Sequence, residues 1–87
     1  MFYVYVLRSK KDKSFYIGFT SQLRERFLTH SKGMVQSTKY LLPMELIYFE
    51  GYKSKVDAVM REKQLKRFAK GFYSLKRRLR DSLMAEE

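Results

Sequence analysis

Two short runs decide the fold of this chain: Phe2-Tyr3-Val4-Tyr5-Val6-Leu7 and Phe15-Tyr16-Ile17-Gly18-Phe19. Both are aromatic and β-branched, so both predict strands. The Ser9-Lys10-Lys11-Asp12-Lys13-Ser14 segment between them is polar and short, which makes the pair a hairpin. Side chains alternate along a strand, so Tyr3 and Tyr5 share one face while Phe2, Val4 and Val6 share the other. By the same rule Tyr16 and Gly18 oppose Phe15, Ile17 and Phe19. One face is apolar; the other carries phenol hydroxyls beside a glycine, where a partner or ligand can approach the backbone.

Working outward, Thr20-Ser21-Gln22-Leu23 predicts a hydroxyl-capped helix start. Leu23, Arg26, Phe27 and His30 then fall at i, i+3, i+4 and i+7, which sets Arg26 and His30 along the inward edge of one helix. Gly33 ends that helix, and a polar loop with Gln36, Ser37, Thr38 and Lys39 follows. After Pro43, the run from Met44 to Glu50 predicts a third strand. Ser54-Lys55-Val56-Asp57 resembles a capping box and opens a long helix with Ala58, Glu62, Leu65 and Ala69 in one stripe, flanked by Val59 and Phe68. A break at Gly71 and a cap at Ser74 predict a last helix carrying Leu75, Leu79 and Leu83. The expected class is α+β: a small three-stranded antiparallel sheet flanked by about three helices.

Glu62 stands in the middle of an apolar face. A lone ionised carboxylate there costs several kcal/mol unless a divalent metal or a cation compensates it. Tyr5, Tyr16, Arg26 and His30 are likewise polar residues set into apolar surfaces. Taken singly, each has a plain structural reading: strand tyrosines reaching solvent, an Arg26–Glu62 ion pair, a hydrogen-bonded histidine at the edge of the core.

Composition bounds the rest. The chain has 87 residues, room for one domain over 1–87, with no repeat, linker or low-complexity stretch. It has no Cys and one His, which excludes disulfides, thiolate sites and a His-cluster metal site. No apolar run has the length of a membrane span or a secretory signal, so the expected location is the cytoplasm. The formal net charge is +10, and from Lys53 to Arg80 eleven Lys and Arg face two acids, Asp57 and Glu62. Such a surplus points to a polyanion, nucleic acid before membrane. Lys39, Lys66, Arg67, Lys76, Arg77, Arg78 and Arg80 are the candidate backbone-gripping residues, and their binding should weaken steeply with salt.

In this order the residues resemble the GIY-YIG nuclease superfamily, in particular its small single-domain, UPF0213-like members. Tyr3-Val4-Tyr5 stands for the first tripeptide and Tyr16-Ile17-Gly18 for the second; Thr20, Leu23, Arg26 and His30 follow in the spacing YIG-x-T-x-x-L-x-x-R-x-x-x-H. Thr38-Lys39-Tyr40 with Pro43 and Leu46 fits the family's middle, and the segment from Ala58 to Lys66 fits its metal-carboxylate helix. Two positions depart from the pattern. Tyr3 replaces the first glycine, and the Asn that family nucleases usually carry near the end of the domain has no counterpart, because the chain contains no Asn.

The resemblance implies phosphodiester hydrolysis with one Mg²⁺ or Mn²⁺ ion. Glu62 would be its single protein ligand, Arg26 would bind the scissile phosphate, and either Tyr5 or Tyr16 would help deprotonate the attacking water, with His30 hydrogen-bonded to that pair. Two functions stay open: a metal-dependent DNA endonuclease with weak sequence preference, and a nucleic-acid-binding module whose nuclease site is degenerate, slow or inactive. DNA, branched or damaged DNA included, is the expected partner, RNA remains open, and recognition would run through DNA shape, a homodimer or a further partner.

Overall fold

The computed structural model describes residues 1–67 and 69–84. In chain order they form β1 (Phe2–Ser9), β2 (Phe15–Thr20), α1 (Leu23–Ser31), a 3₁₀ turn (Lys39–Leu41), β3 (Met44–Tyr52), α2 (Lys55–Arg67), α3 (Ala69–Arg78) and α4 (Arg80–Met84). The three strands make one sheet in the order β2-β1-β3. Both pairings are antiparallel, so the expected α+β class holds.

Strand alternation divides the interior in two. Val4 and Val6 point to one face, where Ala58 and Leu65 of α2 and Leu75 of α3 close over them together with Phe15, Ile17, Phe19 and Phe72. Tyr5 and Leu7 point to the other face, packed with Tyr16, Leu23, Phe27, Leu41, Leu42 and Met44. β1 is thus covered on both faces, which is why Val4 to Leu7 are buried without interruption.

β3 changes face partway. Leu7 pairs with Leu46 and Val6 with Tyr48, a register shift that leaves Ile47 as the extra residue of a bulge. Below the bulge Met44 and Leu46 pack with Leu7; above it Tyr48 and Tyr52 pack with Val4 and Val6. Without the bulge one of these sets would face the wrong side of the sheet.

The helix boundaries depart from expectation at two places. Thr20 does not cap α1: its Oγ1 accepts from the Gln22 amide at 3.0 Å in the turn before the helix, and the N-cap residue is Gln22, with no side-chain cap bond. Gly71 does not break the chain and Ser74 caps nothing, since α3 runs from Ala69 through both. Glycine inside a helix costs about 1 kcal/mol relative to Ala, and burial of Leu75 with partial burial of Phe72 and Leu79 on one stripe offsets that. Other signals hold. Gly33 takes φ +74° at the end of α1, and its amide donates to the His30 carbonyl at 3.0 Å. Ser54 Oγ accepts from the Asp57 amide at 3.4 Å, a weak cap. Phe68, expected on the flank of α2, lies outside the described residues.

Candidate active site

The hairpin and α1 bring four of the expected side chains together. Tyr5 is 1% exposed at the centre of β1, and its hydroxyl lies 3.0 Å from Nε2 of His30, which is fully buried on the last turn of α1. The other ring nitrogen, Nδ1, lies 2.8 Å from Oγ1 of Thr38, also fully buried. Tyr16 comes from β2, with its ring 4.9 Å from that of His30 in an edge-on arrangement and 6.3 Å from that of Tyr5. Arg26, one helical turn before His30, carries a guanidinium that interacts with both phenols.

Gly18 has a role other than the one its position suggested. It pairs with Tyr5 across the strands, and a Cβ there would collide with the Tyr5 hydroxyl and the carbon bearing it. The space over its backbone is filled by the protein's own tyrosine, not left for a ligand. Thr38 is the residue whose weight the sequence understated. Eight positions after His30 and in an irregular loop, it obeys no helical or strand period that would link it to His30.

Burial sets the electrostatics. Desolvation raises the Tyr5 phenol above its usual range, opposed by the Arg26 hydrogen bond and reinforced by the charges of Tyr16 and Glu62. His30 is lowered to about 4, first by burial and then by the Arg26 charge, so it is a neutral imidazole near pH 7. A neutral ring has one donor and one acceptor nitrogen. Either Nδ1–H donates to Thr38 and Nε2 accepts from Tyr5, or both bonds reverse together, because hydroxyls can do either. Arg26 is raised, chiefly by its hydrogen bond to Tyr5.

Glu62 enters from α2, partly buried, and its charge reaches the Tyr5 hydroxyl. Its nearest cation is Lys66 one turn on, 3.1 Å away, so the expected Arg26–Glu62 pair gives way to two separate associations: Arg26 with the phenols, Glu62 with Lys66. Among the described residues no three His, Cys, Asp or Glu side chains converge as a metal cage. Both nitrogens of His30 are engaged, and Glu62 is the carboxylate whose charge reaches Tyr5. Magnesium or manganese held by one carboxylate, with water and phosphate oxygens at the other positions, fits that donor set.

The basic residues are not gathered at this cluster. Lys76 sits over the rings of Phe15 and Phe72, 5.6 Å from each centroid, and Arg77, Arg78 and Arg80 are exposed around it on α3 and α4. The apolar stripe of α3 packs on the Val4 and Val6 face, so these four cations belong to the side of the sheet opposite Tyr5 and His30. Lys66 and Arg67 are exposed at the end of α2, and Lys39 lies 4.9 Å from the Tyr40 ring in the loop beside Thr38. No helix among the described residues is long and apolar enough to cross a membrane.

Comparison with known proteins places the chain in a family. The chain is 42% identical over 66 residues to a UPF0213 protein of Streptococcus pneumoniae serotype 4, covering 75% of this chain and 66% of that one. It is 38% identical over 69 residues to a UPF0213 protein of Staphylococcus haemolyticus, covering 78% and 83%. The chain thus spans just under two thirds of the pneumococcal relative's length. The solution NMR structure of a UPF0213 protein from Bacillus halodurans superposes with a TM-score of 0.54 at 30% identity, covering 87% of this chain and 86% of that one. A family model described as the GIY-YIG catalytic domain matches residues 1–71, which include Tyr5, Tyr16, Gly18, Arg26, His30, Thr38 and Glu62. With relatives at this identity and the catalytic-domain model matched over residues 1–71, this chain belongs to the GIY-YIG nuclease family.

Proposed function

We propose that this protein is a metal-dependent endonuclease that hydrolyses phosphodiester bonds in DNA with weak sequence preference. One observation carries the reading: Arg26 interacts with the phenols of Tyr5 and Tyr16 beside a neutral His30, and the charge of Glu62 is felt at Tyr5. A guanidinium can pair with two phosphate oxygens at once.

Glu62 would hold one Mg²⁺ or Mn²⁺, leaving Lys66 to solvent or to the substrate. When bound, that ion supplies charge stabilisation at the phosphate and the leaving oxygen. The two tyrosines divide the remaining work by accessibility. Tyr5 is buried, raised above its ordinary pKa and tied to His30, so it positions the imidazole. Tyr16 is only partly buried and lies in reach of Arg26, so it is the phenol that a water can meet. The second reading, a module that binds nucleic acid without cutting it, is favoured by the missing Asn.

The test is nicking of labelled linear and branched DNA with Mg²⁺, Mn²⁺ or EDTA, with Glu62→Gln prepared identically. The endonuclease reading expects metal-dependent cutting by the wild type and loss of it in the variant with binding retained. Binding without cutting in any metal would select the second reading, and full activity in the variant would remove Glu62 from the mechanism.

A further inference from the structure

Phe49 on β3 stands directly opposite Tyr5 in the β1–β3 pairing, so the two share the face of the sheet that carries the candidate site. Tyr5 is fully buried there, yet Phe49 is 51% exposed. Its ring is held from one side by Tyr3, with centroids 6.0 Å apart at 70°. Gly51, the next β3 residue on this face, pairs with Tyr3 and adds no side chain; a Cβ there would meet the Tyr3 ring at 3.5 Å and Cε of Met1 at 2.9 Å. The result is a shallow aromatic surface at the open edge of the sheet, one strand from Tyr5 and from the guanidinium that reaches it.

Charge says what covers this surface. The protein carries a net charge of +10, and Phe49 pairs across the sheet with Tyr5, the phenol that interacts with Arg26. A ligand that places a phosphate at Arg26 and a flat π surface one strand away is a nucleotide, and stacking on an aromatic side chain accepts any base. A base paired inside a duplex has both faces covered by its neighbours.

We propose that Phe49, supported by Tyr3, stacks an unpaired base beside the phosphate held at Arg26, so that the preferred substrate carries a single-stranded segment at the point of cutting. The inference rests on the nuclease reading for the position of the phosphate. Its test is read in EDTA, where cutting plays no part, so the two can fail separately.

The experiment measures binding of labelled single-stranded DNA, the same strand with an abasic site at each position in turn, and the matching duplex, to wild type, Phe49→Ala and Phe49→Trp. Wild type should prefer the single strand, and Phe49→Ala should bind it about tenfold more weakly while its duplex affinity stays unchanged. One abasic position should weaken wild type by a similar factor and Phe49→Ala hardly at all. The chain contains no Trp, so the indole of Phe49→Trp is a sole reporter, and its emission should be quenched by the single strand. Equal single-strand affinity for folded Phe49→Ala and wild type would overturn the proposal. So would unchanged indole emission at saturation, which decides the matter even if Phe49→Ala fails to fold. A wild-type dimer that Phe49→Ala dissociates would also overturn it, assigning the surface to a second copy of the chain.

Discussion

The Tyr5 phenol occupies the space that a side chain at position 18 would need, and the two residues are cross-strand partners in the hairpin. Tyr5 has no room to retreat, being 1% exposed and bonded to His30. Gly18→Ala should therefore destabilise the fold by about 1–3 kcal/mol, the usual cost of overpacking, and lower cutting further than stability alone accounts for. Thermal unfolding and nicking assays below the transition check this; a variant with wild-type stability and rate would show that the phenol moves freely.

Thr38 fixes the orientation of His30. Thr38→Val keeps the shape but leaves a buried imidazole nitrogen without a partner, which should cost about 1–3 kcal/mol. The same substitution should reduce turnover while substrate affinity changes little, because Thr38 acts on the phenols through His30. Denaturant unfolding read beside separate kcat and KM values distinguishes this from simple loss of stability.

His30 also makes a pH prediction. Its folded pKa is about 4, against about 6.5 in the unfolded chain. Below 6.5 the unfolded chain takes up a proton that the folded one refuses, so stability is full above that pH and falls as pH drops from 6.5 toward 4. The loss should approach roughly 3 kcal/mol. Denaturant midpoints between pH 4 and 7, with His30→Gln as reference, measure it; an equal slope in the variant would place the proton elsewhere. Above pH 6 His30 stays neutral, so no step of the rate profile there should vanish in a variant that retains cutting without it.

A second partly buried carboxylate has a structural task. Glu50 on β3 accepts from both nitrogens of Arg61 that face it, at 2.9 and 3.0 Å, and from the hydroxyls of Tyr48 and Tyr52 at 2.8 and 2.5 Å. Burial alone would raise its pKa, but these bonds and the Arg61 charge hold it below the ordinary value, while Tyr52 is pushed up to about 12 by burial and by Glu50. The contribution of Glu50 is present above its unfolded pKa, near 4.3, and is lost as pH falls through its lower folded value. Glu50→Ala leaves Arg61 partly buried without its partner and should cost about 2–3 kcal/mol at neutral pH. An unchanged unfolding free energy would show that the network contributes nothing.

The basic side of α3 and α4 lies across the sheet from the candidate site. Replacing Lys76, Arg77, Arg78 and Arg80 with Gln should weaken duplex binding for all sequences and reduce the salt slope by about 3–4. Turnover at saturating DNA should hold, because none of the four belongs to the cluster around Tyr5. Titrations at several salt concentrations check the slope; if it is unchanged, DNA lies along another surface.

Local patterning determined much of this protein. Alternation placed Tyr3, Tyr5, Tyr16 and Gly18 on one face of the hairpin and Phe15, Ile17 and Phe19 on the other, and the i, i+3, i+4, i+7 stripe put Arg26 and His30 on one side of α1. These relations depend only on repeats within a few residues, so the chain itself carries them. What the tertiary structure decided is long-range. The Thr38 bond to His30, the preference of Glu62 for Lys66 and of Arg26 for the phenols, and the closing of Gly18 by Tyr5 each depend on how separate elements meet. The bulge at Ile47 is set by which β3 side chains the two cores can accept, and it is what sets Phe49 on the face of Tyr5. Gly71 and Ser74 read as a helix break because their local preference is for one, yet the helix continues because burying Phe72, Leu75 and Leu79 against the sheet outweighs a propensity of about 1 kcal/mol.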